Sequence, residues 1–309
     1  MEMKIKEYGF ESATDGWNIH CYSLIPQRDM KAVVYIVHGM YEKAVRYQHF
    51  MNFLYDNGYG AYSMDHRGHG ESCQRGIGDL GDADVYLKMI RDMRTMILKI
   101  RAAHPAHKLI LFGHSMGSFL AQRYIQIYPN TIDALLLSGS GGKDQAAAAV
   151  LGKNMAYSLK KLGLSNRRSF PMFFMQQRVL SRNIKDKKTM YDWICSDERV
   201  IEEYRRDNQL GIPYTVSSYY YVYKGISENF QRRNMVHVNR NLPIFMVSGA
   251  KDPVGNFGKG VHLLVRWYKS FDINNVECKI YPNMRHEVLN EYEKETVMED
   301  ILEWLKKML

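Results

Sequence analysis

Candidate strands alternate with helical stretches along most of this chain, and that alternation restricts the fold more than any other feature. "AVVYIVHG" (32–39), "YGAYSMD" (59–65), the run that opens at Leu109, "DALLLSGS" (133–140), "PIFMVSGAKD" (243–252) and "VECKIYPN" (276–283) read as strands. Several are apolar at nearly every position, as expected of strands covered on both faces. Helical patterns fill 46–58, 82–105, 259–271 and roughly 292–308, with Asn57-Gly58 and Pro105 as stop signals. Strands joined through helices must cross over the sheet. The pattern therefore predicts an α/β protein, with a mostly parallel central sheet and helices on both faces. A hairpin over 3–26, turning at Asp15-Gly16, precedes this unit.

The alternation stops between about 142 and 235. An alanine-rich helical stretch (145–161), the bulky "FPMFFMQQRVL" and the tyrosine-rich "PYTVSSYYYVYKG" stand there without a buried-strand signature. The expected organisation is a core made of 1–141 and 236–309, with a mainly helical cap, 142–235, inserted between them. A length of 309 residues suits one large core with an insertion better than two independent domains.

Charge is unevenly spread. The net value is +9, and 17 lysines and arginines face 9 aspartates and glutamates between Lys143 and Arg233. These basic residues are interleaved with acids and no recognition motif accompanies them, which argues against nucleic acid. A solvated face accounts for them, and so does transient attraction to an anionic lipid surface or substrate. Cys21, Cys73, Cys195 and Cys278 lack metal-ligand or redox spacing and fit free thiols in a reducing compartment. The first residues carry no apolar run of a secretory signal. No stretch approaches the ~20 apolar residues of a membrane span. A cytoplasmic location is expected.

Chemistry is concentrated in "LILFGHSMGSFLAQRYIQIYP" (109–129), where Gly113-His114-Ser115-Met116-Gly117 fits G-x-S-x-G between a strand and a helix. A sharp turn of this kind lifts a serine hydroxyl above the sheet edge, and glycines admit the close approach of strand and helix. The helix start directs free N–H groups and its positive dipole end toward the site. A serine hydroxyl is a poor nucleophile until a base takes its proton. Asp252, in "GAKDPVG", and His286, in "NMRHEVLNE", follow later strands in the order Ser, Asp, His. Backbone N–H groups of Met116 and of Met40, in "VHGMYEK", are the candidate oxyanion donors. His114 reads as scaffold beside the serine, and Asp65 and His66 read as loop anchors.

Four segments, "HGMYEKAVRYQHF", "DHRGHGES", "GHSMGS" and the pair "GAKDPVG" with "RHEVLNE", resemble the monoacylglycerol lipase and lysophospholipase group of α/β-hydrolases, often placed with serine aminopeptidases. The resemblance implies an α/β-hydrolase fold with a cap. It implies Ser115 as nucleophile, His286 as general base and acid, Asp252 as its orienter, and Met40 and Met116 as the oxyanion hole. Glu42 and Arg46 match positions that frame the alcohol side of the substrate in that group, and Gly39 and His114 complete the candidate substrate-binding set. An ion pair tying loop to helix explains Glu42 and Arg46 equally well. Lys43 stands where relatives often carry histidine.

The implied activity is cleavage of a carboxylic ester, small or lipid-like, through an acyl-enzyme, without metal or organic cofactor. Esterase, thioesterase or amidase action on aryl or anionic substrates, a non-catalytic binding role and a lipid-docking role are the alternatives. Phe170, Met172, Phe173, Phe174, Met175, Tyr219–Tyr221 and Tyr223 offer apolar surface for an acyl group, or pack the cap's own core.

Overall fold

The computed structural model describes residues 5–185 and 187–308. Eight strands form one sheet: β1 (Lys6–Glu11), β2 (Asn18–Leu24), β3 (Ala32–Val37), β4 (Gly60–Met64), β5 (Lys108–His114), β6 (Ala134–Ser138), β7 (Ile244–Gly249) and β8 (Val276–Tyr281). Their spatial order is β1-β2-β4-β3-β5-β6-β7-β8. β1 pairs antiparallel with β2, and β2 with β4, while every later neighbour is parallel. Residues 3 and 4 of the expected hairpin lie outside the described residues. The rest of it is β1 and β2, joined through a turn at Gly16 with φ 70°.

The helices are α1 (Gln48–Asp56), α2 (Val85–Ala103), α3 (Met116–Ile127), α4 (Lys143–Lys161), α5 (Phe170–Ser181), α6 (Glu198–Arg206), α7 (Val216–Asn229), α8 (Arg232–Met235), α9 (Lys259–Lys269) and α10 (Lys294–Lys307). Alternation along the strands explains why helices cover both faces, since successive side chains point to opposite sides. Val33, Tyr35 and Val37 join Leu109 and Leu111 beneath α2 and α3. Ala32, Val34 and Ile36 join Ile110 and Phe112 on the other side, beneath α1 and α10. A fully apolar strand is thus two half-strands, each serving a different core.

Helix ends are shorter than the sequence pattern. Asp84 sits at φ 56°, outside helical geometry, so α2 begins at Val85 rather than 82. Pro105 disfavours helical backbone in the residue before it, and α2 accordingly stops at Ala103. A 3₁₀ turn, Ala44–Tyr47, leads into α1.

Between β6 and β7 the chain runs through α4 to α8. Ser169, Asp197 and Thr215 cap α5, α6 and α7 by accepting from backbone N–H groups of the first turn, each contact of a kind that contributes about 1 kcal/mol. α4 turns its small buried residues Ala149, Gly152 and Ala156 inward and packs on α7. α7 in turn packs on α2 and α3. Among the described residues, no helix is long and apolar enough to cross a membrane.

Candidate active site

β5 ends at His114 and α3 begins at Met116, so Ser115 alone makes the turn, at φ 51° and ψ −119°. An L residue with positive φ stores on the order of 1–3 kcal/mol of strain, which the surrounding packing must hold. Here the Ser115 N–H donates to Ser138 O of β6 at 3.0 Å. A Cβ at Gly117 would meet Val37 O at 2.2 Å and His38 O at 2.6 Å. Glycine alone lets the first turn of α3 lie against the end of β3.

The loops after β7 and β8 bring the other two candidates together. His286 Nδ1 and Asp252 Oδ1 are 3.0 Å apart, and both side chains are buried. Asp252 also accepts from the Val254 N–H at 2.8 Å and the Ser248 hydroxyl at 3.3 Å. Burial alone would make the imidazolium harder to form. The negative charge and hydrogen bond of Asp252 outweigh it, and the His286 pKa is raised above 6.5. With Nδ1 directed at a carboxylate, Nε2 is the nitrogen left to accept a proton. It is buried, has no hydrogen-bond partner among the described residues, and faces the same cavity that Ser115 lines. Hydrogen bonds of this kind are often long without substrate and tighten when it binds.

Met116 is the first residue of α3, so its N–H has no acceptor within the helix. Met40 lies in the loop after β3. A Cβ at Gly39 would meet Glu42 Oε1 at 2.7 Å and Ser115 Cβ at 3.0 Å, so this loop runs directly against the serine. The inserted helices brace it as well. The Tyr41 hydroxyl donates to Gln176 Oε1 at 2.7 Å and lies 2.6 Å from the Tyr219 hydroxyl, and the Gly211 N–H donates to Tyr41 O at 3.0 Å.

Arg46 is held by two carboxylates. It meets Glu42 at 2.9 Å and Glu287 through two nitrogens at 2.7 Å each. Glu42 further accepts from the Gly39 N–H and, at 2.9 Å, from the Tyr47 hydroxyl. Burial drives the Glu42 carboxyl upward, and the neighbouring Glu287 adds to the shift against the pull of Arg46. Burial acts upward on Glu287 too, but its two-point contact with Arg46 prevails and the net shift is downward. The ion-pair reading of Glu42 and Arg46 therefore describes their contacts. Lys43 is likewise engaged, with Asp207 at 2.6 Å.

The cavity over Ser115 measures about 540 Å³. Met40, Glu42, His114, Met116 and His286 line it together with Phe119, Met175, Val179, Leu180, Tyr223 and Ile226. Gly39, Arg46 and Asp252 do not line it, though each touches a residue that does. His114 lies with its ring 4.7 Å from that of His286, and burial holds it neutral, well below 6.5. The aromatic residues of the insertion divide. Met175 and Tyr223 face the cavity, Met172, Phe173 and Tyr219 are buried, and Phe170 and Phe174 are exposed. Glu287 and Trp193, both on the cavity wall, escaped sequence reasoning. Only the position of Glu287 directly after His286 hinted at a role. Asp65 anchors loops, accepting from the Ala44 N–H at 2.7 Å, the Glu71 N–H at 3.0 Å and the Tyr22 hydroxyl at 3.1 Å.

Comparison with known proteins agrees with this architecture. The chain is 28% identical over 291 residues to a monoacylglycerol lipase of Mycolicibacterium smegmatis, covering 91% of this chain and 90% of that protein. It is 24% identical over 296 residues to human monoglyceride lipase, covering 95% and 88% respectively. A crystal structure of a thermostable carboxyl esterase from Bacillus coagulans, in complex with glycerol, superposes with TM-score 0.91 at 26% identity over 99% of both chains. The family model of serine aminopeptidase S33 hydrolases matches residues 28–293, and the chain, an α/β-hydrolase by its fold, belongs to that family.

Proposed function

We propose that this ester hydrolase works through an acyl-enzyme on Ser115 and that its substrates are single-chain esters of the monoacylglycerol or lysophospholipid kind. One observation carries the reading. A serine held at positive φ on a strand-to-helix turn shares a cavity with the free Nε2 of a histidine whose Nδ1 meets a buried aspartate. In the first half-reaction Ser115 Oγ attacks the acyl carbon and His286 Nε2 takes its proton. The Met40 and Met116 N–H groups stabilise the oxyanion. The imidazolium then returns the proton to the departing alcohol. Water, deprotonated by the same nitrogen, cleaves the acyl-enzyme. Asp252 keeps the imidazole oriented and stabilises its cation.

The cavity supports the substrate class. At about 540 Å³ it lies within the ~300–1,000 Å³ usual for one small ligand, and most of its wall is apolar. Glu42 and Glu287 add two carboxylates to that wall, groups suited to the hydroxyls of a small alcohol. Relatives named as monoacylglycerol lipases, and one esterase solved with glycerol, support the same reading. A series of p-nitrophenyl esters from acetate to laurate, run beside monoacylglycerols and lysophospholipids, tests it. Rising kcat/KM with chain length is expected. Exclusive preference for acetate removes the lipid reading.

A second reading concerns where the substrate is met. Leu151, Leu162, Phe170, Phe174 and Val179, on and beside α4 and α5, are half-exposed or more, and Leu151 and Val179 also line the cavity. Lys161, Arg167, Arg178 and Arg182 are exposed among them. An apolar patch ringed by cations suits an anionic lipid surface, onto which the cavity would open. We propose transient docking there. Co-sedimentation with anionic but not neutral vesicles is expected, and no difference between the two removes it.

A further inference from the structure

The inserted helices reach the candidate base itself. The stretch between α5 and α6 is fastened to the loop that carries His286. The Glu287 N–H donates to Ile194 O at 2.8 Å, Arg285 Nη1 donates to Cys195 O at 2.9 Å, and the Ser196 N–H donates to Glu291 Oε1 at 3.0 Å. This clamp sets Trp193 against His286, with ring centroids 5.0 Å apart and planes at 42°. The indole is itself oriented, because its Nε1–H donates to Gln177 Oε1 of α5 at 2.8 Å and both side chains are buried.

We propose that Trp193 is a positioning residue for the reaction, holding His286 in place and favouring its cationic form through the face of the indole. An aromatic face within about 6 Å of a cation attracts it, tryptophan most strongly, and the attraction grows where water is excluded. The catalytic cycle makes His286 cationic twice, in a site from which the ring is almost wholly withdrawn from water. The other groups that act on the ring are Asp252 at Nδ1, neutral His114 from β5, Glu287 on its own loop, and Glu42 on the loop after β3, the last two both held by Arg46. Trp193, unlike these, is delivered by the insertion, where Gln177 orients it. The helices that shape the acyl cavity therefore also tune the base.

This inference rests on the proposed role of His286, and the experiment separates the two. Rate–pH profiles of kcat and kcat/KM on a small ester are compared for wild type, Trp193→Phe, Trp193→Leu and Gln177→Leu, with His286→Ala as control. Trp193→Leu is expected to move the acidic limb down by on the order of one pH unit and to lower kcat about tenfold with KM little changed. Trp193→Phe keeps an aromatic face and is expected to recover most of both effects. Gln177→Leu, which frees the indole, moves the limb in the same direction by less. If Trp193→Leu does not fold, Gln177→Leu carries the test, and a Gln177→Leu profile that superimposes on wild type overturns the proposal. Equal behaviour of Phe and Leu variants also overturns it, since packing alone would then account for the loss. Full turnover in His286→Ala contradicts the proposed function instead.

Discussion

Arg46 grips Glu287 with two guanidinium nitrogens, each 2.7 Å from a carboxylate oxygen, across 241 residues of sequence. The contact joins the loop after β3, which carries the Met40 N–H, to the loop after β8, which carries His286. Two loops that a hydrolytic site needs in register are thereby tied by one cation between two acids.

Breaking one partner of a buried ion pair leaves an uncompensated charge, at a cost of about 3–5 kcal/mol. Arg46→Met leaves both Glu42 and Glu287 without their cation and should lower the urea midpoint more than Glu287→Gln, which leaves Arg46 still paired with Glu42. Urea titration of both variants checks the order. Equal midpoints for the two would show that the pair does not bind the loops.

Gly39→Ala tests the loop from its other side. The added methyl would meet Glu42 Oε1 at 2.7 Å and Ser115 Cβ at 3.0 Å, so the loop must retreat from the serine. Loss of one oxyanion donor usually costs about 10²–10³ in kcat, and a loss of that order with a small change in KM is expected. Steady-state kinetics on a soluble ester decides, and wild-type kcat would place the oxyanion elsewhere.

The pH dependence follows from His286. Its pKa is raised, because Asp252 outweighs the effect of burial, and in its proposed role as base it works only when neutral. Activity should therefore appear as pH rises through a value above the ordinary 6.5. The contribution of this ion pair to stability runs the other way. It is fully present below the unfolded value and fades as pH rises through the folded one. Rate–pH profiles of wild type and Asp252→Asn, the latter expected to lose on the order of 10⁴-fold in rate, check the first claim, and urea midpoints of the two across the same pH range check the second. An acidic limb below pH 6 in wild type would contradict them.

A second histidine group governs acid stability. His38, His66 and His69 are fully buried, with ring centroids 4.4 to 6.2 Å apart. Burial pushes all three down, with Arg46 adding to it at His38 and neighbouring histidines adding to it at His66 and His69; His38 falls to about 4 and His69 to about 3. Neutral when folded, they take up protons on unfolding. Stability is thus complete above about pH 6.5 and lost as pH falls toward the folded values. Neither ring nitrogen of His66 has a hydrogen-bond partner among the described residues. His66→Phe should remove up to about 1.4 kcal/mol per pH unit of that acid slope. Denaturation between pH 7 and pH 5 measures it, and an unchanged slope would contradict the assignment.

The sheet was legible because each strand repeats one instruction at every position. Val33, Val34, Tyr35 and Ile36 are apolar whichever face they serve, and all are buried. Ser115, Asp252 and His286 could be singled out as candidates because each follows a strand beside a turn residue, where chain order limits the choice, and the fold brings Ser115 and His286 to one cavity with Asp252 against His286. Glu287 and Trp193 were not. Their partners, Arg46 and Gln177 with His286, come from loops and helices whose docking no local pattern encodes. The insertion shows the same limit. Phe173 and Phe174 are neighbours in "FPMFFMQQRVL", yet one is buried and the other exposed. Helical period separates the two faces but does not say which one meets the core.

The most direct measurement is intact-mass analysis after a fluorophosphonate probe, followed by peptide mapping. Wild type should gain one adduct, on Ser115, and Ser115→Ala none. His286→Ala should react at a rate lower by on the order of 10³-fold or more. An adduct of wild-type extent on Ser115→Ala, or an adduct mapped to another residue, would contradict the account.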